Sequence, residues 1–504
     1  MDLTSFPLTT LVTFFPLLGI PILLLLRREQ EEQIKRAALV VSAITFVLSL
    51  GFLVGGFDFN KAGFQFQENQ PWIPAWGINY HVGVDGISIL LVLLTTLLMP
   101  IAILSSWTAI HDRLREYMIF MLLLETAMVG VFVALDLFLF YVFWEFSLVP
   151  MYFLVGIWGG PRRVYAAIKF FLYTMAGSIL MLLAILWLGT AGGTFDLVAL
   201  IAKQGAWVGT ITELLLFIGF AAAFAIKVPL WPLHSWLPDA HVEAPTAGSV
   251  ILAGVLLKLG TYGFLRFNLT LFPEASRQAA PVIAVLAVIG IIYGAIVSYP
   301  QSDVKKLVAY SSVSHLGFVM LGIFSLTPQG IQGAILQMVN HGLSTGALFL
   351  IVGFVYERKH TRELSAFGGL WKIMPIYGTI ALIVALSSMG LPGLNGFVGE
   401  FTILLGSTAS TAFGNPGLYT ALAAVGIILA AVYILWMFQR MFMGEVSEEN
   451  RKLTDLNRRE IWVMAPLVIL IFVIGLFPAP FFNAMSASVG EVVARVGGLI
   501  AGGH

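Results

Sequence analysis

The sequence contains no cysteine and unusually few charges. The absence of cysteine among its 504 residues excludes disulfides, thiolate-held iron–sulfur clusters and a cysteine nucleophile. Charged residues make up 11% of the chain, whereas a soluble domain has about 25%. The formal net charge is zero and no basic run is longer than two residues, so nucleic acid is not an expected partner.

Apolar residues, by contrast, are abundant: they make up 59% of the chain and give a mean hydropathy of +0.93. A transmembrane helix needs about 20 apolar residues, and runs of that length predict an all-α, polytopic membrane protein of about fourteen transmembrane helices. The runs lie near residues 8–26, 37–57, 86–107, 117–135, 137–158, 165–190, 208–230, 244–265, 281–299, 304–326, 330–356, 374–405, 417–442 and 461–478. The first run has its positive charges after it, at Arg27 and Arg28, so we expect a retained span rather than a secretory signal.

Positive charges alternate between the predicted loops. Eighteen Lys and Arg residues fall on one side and five on the other, which predicts that the richer side is cytoplasmic and that both termini face outward. The fourth and ninth spans then start on opposite sides, as in two inverted five-helix repeats with paired broken helices. The predicted breaks are Lys227-Val228-Pro229 in the seventh span and Gly390-Leu391-Pro392-Gly393 in the twelfth. The predicted segments are an N-terminal three-helix segment (1–116), a first repeat (117–265), a second repeat (281–442) and a C-terminal helix and tail (443–504).

Ionisable side chains occur inside the predicted spans, where each costs about 2.5–3.5 kcal/mol on insertion scales. Those on six different spans are Glu145, Lys227, Lys258, His315, His341 and Glu400. Glu125 is a less central seventh member, and His234 lies just past the first break. The remaining ones are expected nearer the surface: Lys169 at the interface, and Asp239, His241 and Glu243 in a short cytoplasmic loop.

Each of these residues alone has a structural alternative. A single buried Glu or Lys can fix helix packing through an ion pair, and a single His can be a hydrogen-bonded core residue. Six protonatable groups on six helices favour a series that passes protons, because no Arg, which stays charged, lies in the middle of a predicted span. The histidines of these spans fall on separate helices, which is a poor arrangement for a metal site.

Five motifs carry a family resemblance. They are Phe143-Trp144-Glu145, Lys227-Val228-Pro229-Leu230-Trp231-Pro232, Leu256-Leu257-Lys258-Leu259-Gly260, Asn340-His341-Gly342, and the stretch from Gly390-Leu391-Pro392-Gly393 to Glu400-Phe401. Together they resemble the antiporter-like membrane subunits of NADH:quinone oxidoreductase (respiratory complex I), which have fourteen helices with two inverted repeats. Glu400 stands where the sibling subunits usually have Lys, which resembles the chain M (chain 4) type.

The resemblance implies proton translocation coupled to electron transfer from NADH to quinone, by a translocase subunit without a redox centre of its own. Flavin, iron–sulfur clusters and quinone would belong to partner subunits, and no cofactor or metal is expected in this chain. The implied partners are other membrane-arm subunits, especially the sibling antiporter-like ones, in a bacterial inner membrane. The alternatives are a Mrp-type cation/proton antiporter or membrane-bound hydrogenase subunit of the same fold, and a purely structural membrane subunit.

The resemblance also implies roles for single residues. These are a central proton-holding site for Lys258, relay positions for His315 and His341, a terminal site for Glu400 and a link from His234 to Lys258. Glu145 and Lys227 would form a regulatory ion pair. A carboxylate near Lys227 stabilises its charged form, so moving the carboxylate away would make Lys227 hold its proton less tightly.

Overall fold

The long apolar segments fold into helices because, in a lipid environment, every backbone polar group must be satisfied within the segment itself. A computed structural model describes residues 6–497. The chain ends, residues 1–5 and 498–504, which the charge distribution predicts to face outward, lie outside the described residues. In chain order the elements are α1 (Leu8–Leu25), α2 (Glu31–Val54), β1 (Gln65–Ile73), β2 (Ile78–Val84), α3 (Ser88–Ser105), α4 (Leu114–Val133), α5 (Leu137–Trp158), α6 (Arg163–Gly192), α7 (Leu197–Lys203), α8 (Ile211–Lys227), α9 (Trp236–Glu243), α10 (Thr246–Leu271), α11 (Pro273–Ser298), α12 (Val304–Phe324), α13 (Pro328–Lys359), α14 (Leu370–Ile373), α15 (Pro375–Ser388), α16 (Asn395–Thr408), α17 (Pro416–Phe442), α18 (Arg458–Leu476) and α19 (Ala479–Val496).

Twelve helices within residues 6–497 are long and apolar enough to cross a membrane. This confirms the predicted class of an all-α, polytopic membrane protein. The other two predicted spans correspond to shorter helices: α8 has 17 residues, and the predicted twelfth span is divided between α15 and α16, with 14 residues each. The exact count of fourteen spans stays a prediction.

Both predicted breaks interrupt helices in the structure. α8 ends at Lys227, and the turn that begins with Val228-Pro229 leads to α9. Between α15 and α16, Gly390 and Gly393 have φ angles of +79° and +93°. Glycine adopts these angles without the steric cost that a Cβ would add, so the local sequence is sufficient to stop the helix there.

α10 differs from its prediction in length and in form. The predicted eighth span ends at residue 265, whereas α10 continues to Leu271. Arg266 therefore lies inside a helix and not in an outer loop, because Asp85 pairs with its guanidinium and removes the cost of burying a lone charge. α10 also contains two π turns, Leu252–Leu256 and Phe264–Asn268, which apolar periodicity does not reveal.

Two further elements are absent from the prediction. β1 and β2 pair antiparallel around the turn Pro74–Trp76, followed by Gly77 at a φ of +67°. The helix α19 follows α18, where the sequence predicts only a tail. Neither element contains an apolar run of about 20 residues, so a search for spans passes over both.

The helices α10, α12 and α13 form the centre of the molecule. Every residue in the most apolar window of α10 and of α13 is buried, compared with 33% of that window in α2 and α18. The outer helices therefore face the bilayer or neighbouring proteins, while polar side chains on the central three face other protein groups.

Candidate functional site

Two basic side chains are in contact at the centre of the buried helices. Lys258 on α10 is fully buried, and its Nζ lies 2.6 Å from Nδ1 of His341 on α13. The same Nζ donates to the carbonyl of Ala253, which lies in the π turn Leu252–Leu256. π turns interrupt the regular hydrogen-bond ladder and are frequent at functional sites. Lys258 is thus placed directly against an imidazole nitrogen that can accept its proton.

A second close pair lies on the neighbouring helices. Nδ1 of His315 on α12 lies 2.7 Å from Oε1 of Glu400 on α16, and Gln337 on α13 donates to the same oxygen at 3.0 Å. The hydroxyls of Tyr433 and Ser388 lie 3.4 and 3.5 Å from Nε2 of His315. Oε2 of Glu400 is buried without a hydrogen-bond partner among the described residues. Glu400 is therefore fixed through one oxygen only.

The two pairs meet at the rings of His341 and His315, whose centroids are 5.9 Å apart. Nε2 of His341 is buried and has no hydrogen-bond partner within residues 6–497. A cavity lined by hydroxyl and amide side chains lies beside both rings and has about 10 Å³ of space, close to the minimum for one water molecule. The four residues Lys258, His341, His315 and Glu400 form what we call the buried line, which crosses four helices.

The break between α15 and α16 is held by side-chain hydrogen bonds to α13. Oδ1 of Asn395 accepts from the Ser387 hydroxyl at 2.5 Å, and its Nδ2 donates to Ser344 at 3.1 Å. Asn340 donates to the backbone carbonyl of Asn395 at 2.7 Å. Sequence reasoning missed the positioning role of Asn340 and Asn395. Both occur in the family motifs, but their separation along the chain does not predict that they are in contact. They fix the start of α16, and with it Glu400, against α13.

Glu145 and Lys227 do not form an ion pair in this structure. Nζ of Lys227 lies 5.4 Å from the ring centroids of both Trp144 and Phe170, within reach of cation–π attraction. Among the described residues, no carboxylate oxygen lies within 4.0 Å of this ammonium. Glu145 is half-buried, and its Oε1 is buried without a hydrogen-bond partner in the same part of the chain. The regulatory pair stays a hypothesis.

His234 lies in the turn between α8 and α9 and is buried. Its ring packs edge to face against Tyr293, with centroids 5.0 Å apart. Nδ1 is buried, and no hydrogen bond joins this ring to Lys227 or Lys258 within residues 6–497. The link from His234 to Lys258 therefore also stays a hypothesis.

The helix α9 corrects the predicted position of His241. The sequence predicts Asp239, His241 and Glu243 in a loop near the cytoplasmic surface, but all three lie on α9. The ring of His241 is fully buried and stacks on Phe349 with centroids 4.5 Å apart, and neither ring nitrogen has a hydrogen-bond partner in the described chain. The charge of Asp239 is compensated by Lys169 at 2.7 Å, which lets this short helix enter the core. The burial of His241 is what sequence reasoning missed, because the charged neighbours Asp239 and Glu243 indicate a surface position.

A vestibule of about 150 Å³ opens beside α9. Its lining includes Glu243, Lys305 and Arg362. Nζ of Lys305 donates to the carbonyl of Ala244 at 2.5 Å, and the side chain is buried. The vestibule lies at the end of the helices that the charge distribution predicts to be cytoplasmic, so polar groups lead from that surface toward α9.

Glu125 on α4 is completely buried. Neither of its carboxylate oxygens has a hydrogen-bond partner among the described residues. The structure does not connect it to the buried line by any hydrogen bond within residues 6–497. In the same residues, no group of three or more His, Asp or Glu side chains is arranged to hold a metal ion.

Comparison with known proteins decides the family. Residues 134–415 match the family model described as NADH:quinone oxidoreductase/Mrp antiporter, and residues 11–131 match the one described as NADH-ubiquinone oxidoreductase chain 4, amino terminus. NADH-quinone oxidoreductase subunit M of Rhodobacter capsulatus is 46% identical, with 96% of each chain covered. The chain belongs to the subunit M (chain 4) family of NADH:quinone oxidoreductase. Chain 4 of Marchantia polymorpha, also 46% identical with 95% of each chain covered, extends the family to a plant.

Solved structures agree with this membership in the subunit M family. A chain of respiratory complex I from Thermus thermophilus with bound NADH has a TM-score of 0.88 and 33% identity, covering 97% of this chain and 100% of that one. A chain of the Mrp complex from Dietzia has a TM-score of 0.82 and 23% identity, covering 98% of this chain and 55% of that one. At this identity the likeness to the Mrp chain shows the fold alone. The more similar relatives are subunit M and chain 4 proteins, so the resemblance to chain M is confirmed over the Mrp alternative.

Proposed function

We propose that this chain is the proton-translocating, antiporter-like subunit in the membrane arm of NADH:quinone oxidoreductase, where it couples electron transfer to proton pumping. It would be a translocase subunit of the enzyme, while flavin, iron–sulfur clusters and quinone belong to partner subunits. The observation that carries the proposal is the buried line, in which four protonatable side chains follow one another across α10, α13, α12 and α16.

The contacts of the buried line suit stepwise proton transfer. The ammonium of Lys258 donates to Nδ1 of His341 at 2.6 Å, so a neutral imidazole there can accept its proton. His341 can then release a proton from Nε2 toward His315, by way of the small polar cavity beside the two rings. A proton that reaches Nε2 of His315 frees the Nδ1 proton for Glu400 at 2.7 Å. Every member can gain and lose a proton, as a relay requires.

Glu145 and Lys227 would act as the gate of this relay. Two unit charges 4 Å apart attract by about 4 kcal/mol at an effective dielectric constant of 20. Moving one charge against 100 mV requires about 2.3 kcal/mol. The electrostatic energy gained when the Glu145 carboxylate approaches Lys227, or lost when it moves away, is therefore large enough to control whether Lys227 holds its proton. His234 would pass the proton on toward Lys258.

The setting of the proposed subunit follows from the family and the charge distribution. We place it in a bacterial inner membrane, with both termini on the outer side, in contact with the bilayer and with other membrane-arm subunits, especially the sibling antiporter-like ones. The chain would be divided into a three-helix segment (1–116), two inverted five-helix repeats (117–265 and 281–442) and a C-terminal part (443–504). No cofactor or metal is assigned to the chain itself.

The test is Lys258→Ala in the assembled enzyme. Emptying the central site leaves a gap in the relay, and a barrier higher by about 1.4 kcal/mol already slows a step tenfold. NADH:quinone turnover and proton pumping in vesicles should fall together, by about tenfold or more at that rate. Lys61→Ala is the matched control, because Lys61 is exposed in an outer loop and should leave both activities unchanged. Full activity of Lys258→Ala at normal levels of assembled enzyme would contradict the relay.

A further inference from the structure

A buried ion pair lies at the end of α10 that is remote from the vestibule. Nη2 of Arg266 lies 2.6 Å from Oδ1 of Asp85, and both side chains are buried. Nε of Arg266 donates to the Tyr262 hydroxyl at 3.1 Å. The ring centroids of Phe64 and Tyr262 lie 4.8 and 5.3 Å from the guanidinium carbon. The guanidinium is thus enclosed by one carboxylate and two aromatic rings.

Arg266 shares its helix with the central proton site. It follows Lys258 by eight residues, which corresponds to about 12 Å along an α-helix. Every residue of α10 between the two is buried. A proton moving outward from Lys258 along α10 would therefore meet Arg266 before it met solvent.

The segment formed by Asp85 and Gly86 joins the hairpin, α3 and α19 at this point. Its Oδ1 accepts from the backbone N–H of Ser88 at 2.9 Å, which caps the start of α3 directly after β2. The backbone N–H of Gly86 donates to the hydroxyl of Ser488 on α19 at 3.1 Å. A Cβ on Gly86 would come within 2.2 Å of the carbonyl of Ala484, so α19 packs this closely only against glycine. The hairpin, α3 and α19 together cover the outward end of α10.

We infer that Arg266 and Asp85 form an outward seal, which keeps a proton on Lys258 from escaping along α10 and so directs it to His341. The inference rests on the proposed function and orientation. Arginine does not release its proton, so it cannot serve as a relay group. Its fixed charge repels an approaching proton, as charged barriers do in selective channels. Its guanidinium also holds the Asp85 carboxylate in an ion pair, so Asp85 is not free to pass a proton outward.

The test first removes the charge of Arg266 and then removes the Asp85 carboxylate, which could accept protons once Arg266 is gone. Arg266→Met keeps an unbranched side chain but leaves Asp85 without its cation and able to take up protons. In proteoliposomes of the assembled enzyme with the redox reaction stopped, passive proton permeability should rise several-fold. With NADH, fewer protons should be pumped per electron pair while quinone reduction continues. The double variant Arg266→Met/Asp85→Asn has no carboxylate at this place and should return toward the tightness of the original protein.

Controls separate a seal from a merely structural pair. Arg277→Met, on the exposed side of α11, should leave permeability unchanged. Asp85→Asn keeps the fixed charge of Arg266 and should stay tight, so a leak in that variant overturns the seal even if the methionine variant does not assemble. Normal permeability of Arg266→Met, or a double variant as leaky as the single one, also overturns it. If Lys258→Ala pumps normally, the proposed function itself fails; if it does not pump and Arg266→Met stays tight, only the seal fails.

Discussion

At the scale of single residues, we expect proton pumping to depend strongly on the charge of Glu145. Its carboxylate is half-buried on α5 beside Trp144, and one of its oxygens has no hydrogen-bond partner among the described residues. The ammonium of Lys227 lies 5.4 Å from the centroid of the Trp144 ring. A carboxylate and an ammonium that form no ion pair with each other, one on Glu145 and the other beside the neighbouring Trp144, are an arrangement in which a movement of either side chain can change the pairing.

We predict that Glu145→Gln assembles normally but pumps poorly. The amide keeps the shape of the side chain and removes the charge that would stabilise the Lys227 ammonium, so Lys227 holds its proton less tightly. Glu145→Asp keeps the charge on a shorter arm and should retain part of the activity. The measurement is proton pumping in vesicles, normalised to the amount of assembled enzyme.

The matched control for this prediction is Glu29→Gln. Glu29 is exposed in the loop between α1 and α2, where loss of one charge has no buried partner to affect. Its activity should equal that of the original protein. If Glu145→Gln pumps equally well, the carboxylate is a packing residue and the proposed gate is wrong.

The physical cost of burial explains which residues sequence reasoning found. Lys258, His315 and Glu400 each interrupt a long apolar run, and an ionisable group there is visible without any knowledge of its partners. Arg266 and His241 lie just beyond the ends of the predicted spans, where burial and exposure give the same local pattern. Only a partner distant in sequence, such as Asp85 for Arg266, decides that the residue is buried.

At the scale of elements, the β-hairpin is held to the helices by a polar cluster. Nδ1 of His81 on β2 lies 2.5 Å from Oδ2 of Asp196, just before α7. Asp136 accepts from the backbone N–H of Asn79 at 3.0 Å and also caps α5. Burial alone would raise the pKa of Asp196, but the hydrogen bond from His81 and that from the Ala199 N–H outweigh it, so the pKa lies below its usual value. A carboxylate with a lowered pKa stabilises the folded state at neutral pH and loses that contribution only as the pH falls toward that pKa.

We predict that Asp196→Asn loosens the hairpin without unfolding the helices. Losing a hydrogen bond to a charged group costs about 1.5–3 kcal/mol, which corresponds to local opening about 10 to 150 times more frequent. Amide hydrogen exchange of the peptide 78–84 at neutral pH should accelerate accordingly in the purified enzyme. Asp58→Asn, in the exposed loop before β1, should change nothing. Unchanged exchange in Asp196→Asn would show that packing alone holds the hairpin.

The same elements show where local sequence is informative. The break between α15 and α16 was predictable because Gly390 and Gly393 act on their own backbone. The hairpin was not, because its attachment depends on Asp136 and Asp196, which are distant in sequence from β2. The π turns of α10 were not predictable either, since every side chain around them is buried and apolar periodicity has no contrast there.

At the scale of the whole molecule, the helices differ in how deeply they are buried. The enclosed helices α10, α12 and α13 carry Lys258, His315 and His341 respectively, and the partly exposed helices surround them. This arrangement follows from the cost of charge in lipid: a relay of protonatable groups has to lie on the helices that lipid does not reach. The number of bilayer crossings depends on α8, α15 and α16, since each of these helices is shorter than a regular span.

The absence of cysteine makes that count directly testable, because each introduced cysteine is the only thiol in the chain. We predict that Lys203→Cys and Thr411→Cys react with a membrane-impermeant maleimide from the outer side, and that Ser302→Cys and Glu363→Cys react from the cytoplasmic side. All four positions are exposed. Between Lys203 and Ser302 the chain contains α8, α10 and α11, so the two positions lie on opposite sides only if α8 crosses the membrane.

The other pairs of positions complete the argument. Leu364 donates its backbone N–H to the carbonyl of Ser302 at 2.8 Å, so Ser302 and Glu363 must label from the same side, and this pair is the internal control. Glu363 and Thr411 lie on opposite sides only if α15 and α16 together make one crossing. Opposite labelling in both tests gives fourteen spans, with the side rich in Lys and Arg facing the cytoplasm. If Lys203 and Ser302 label from the same side, α8 does not span, Lys227 is no longer at mid-membrane, and its proposed role as part of a gate is lost with it.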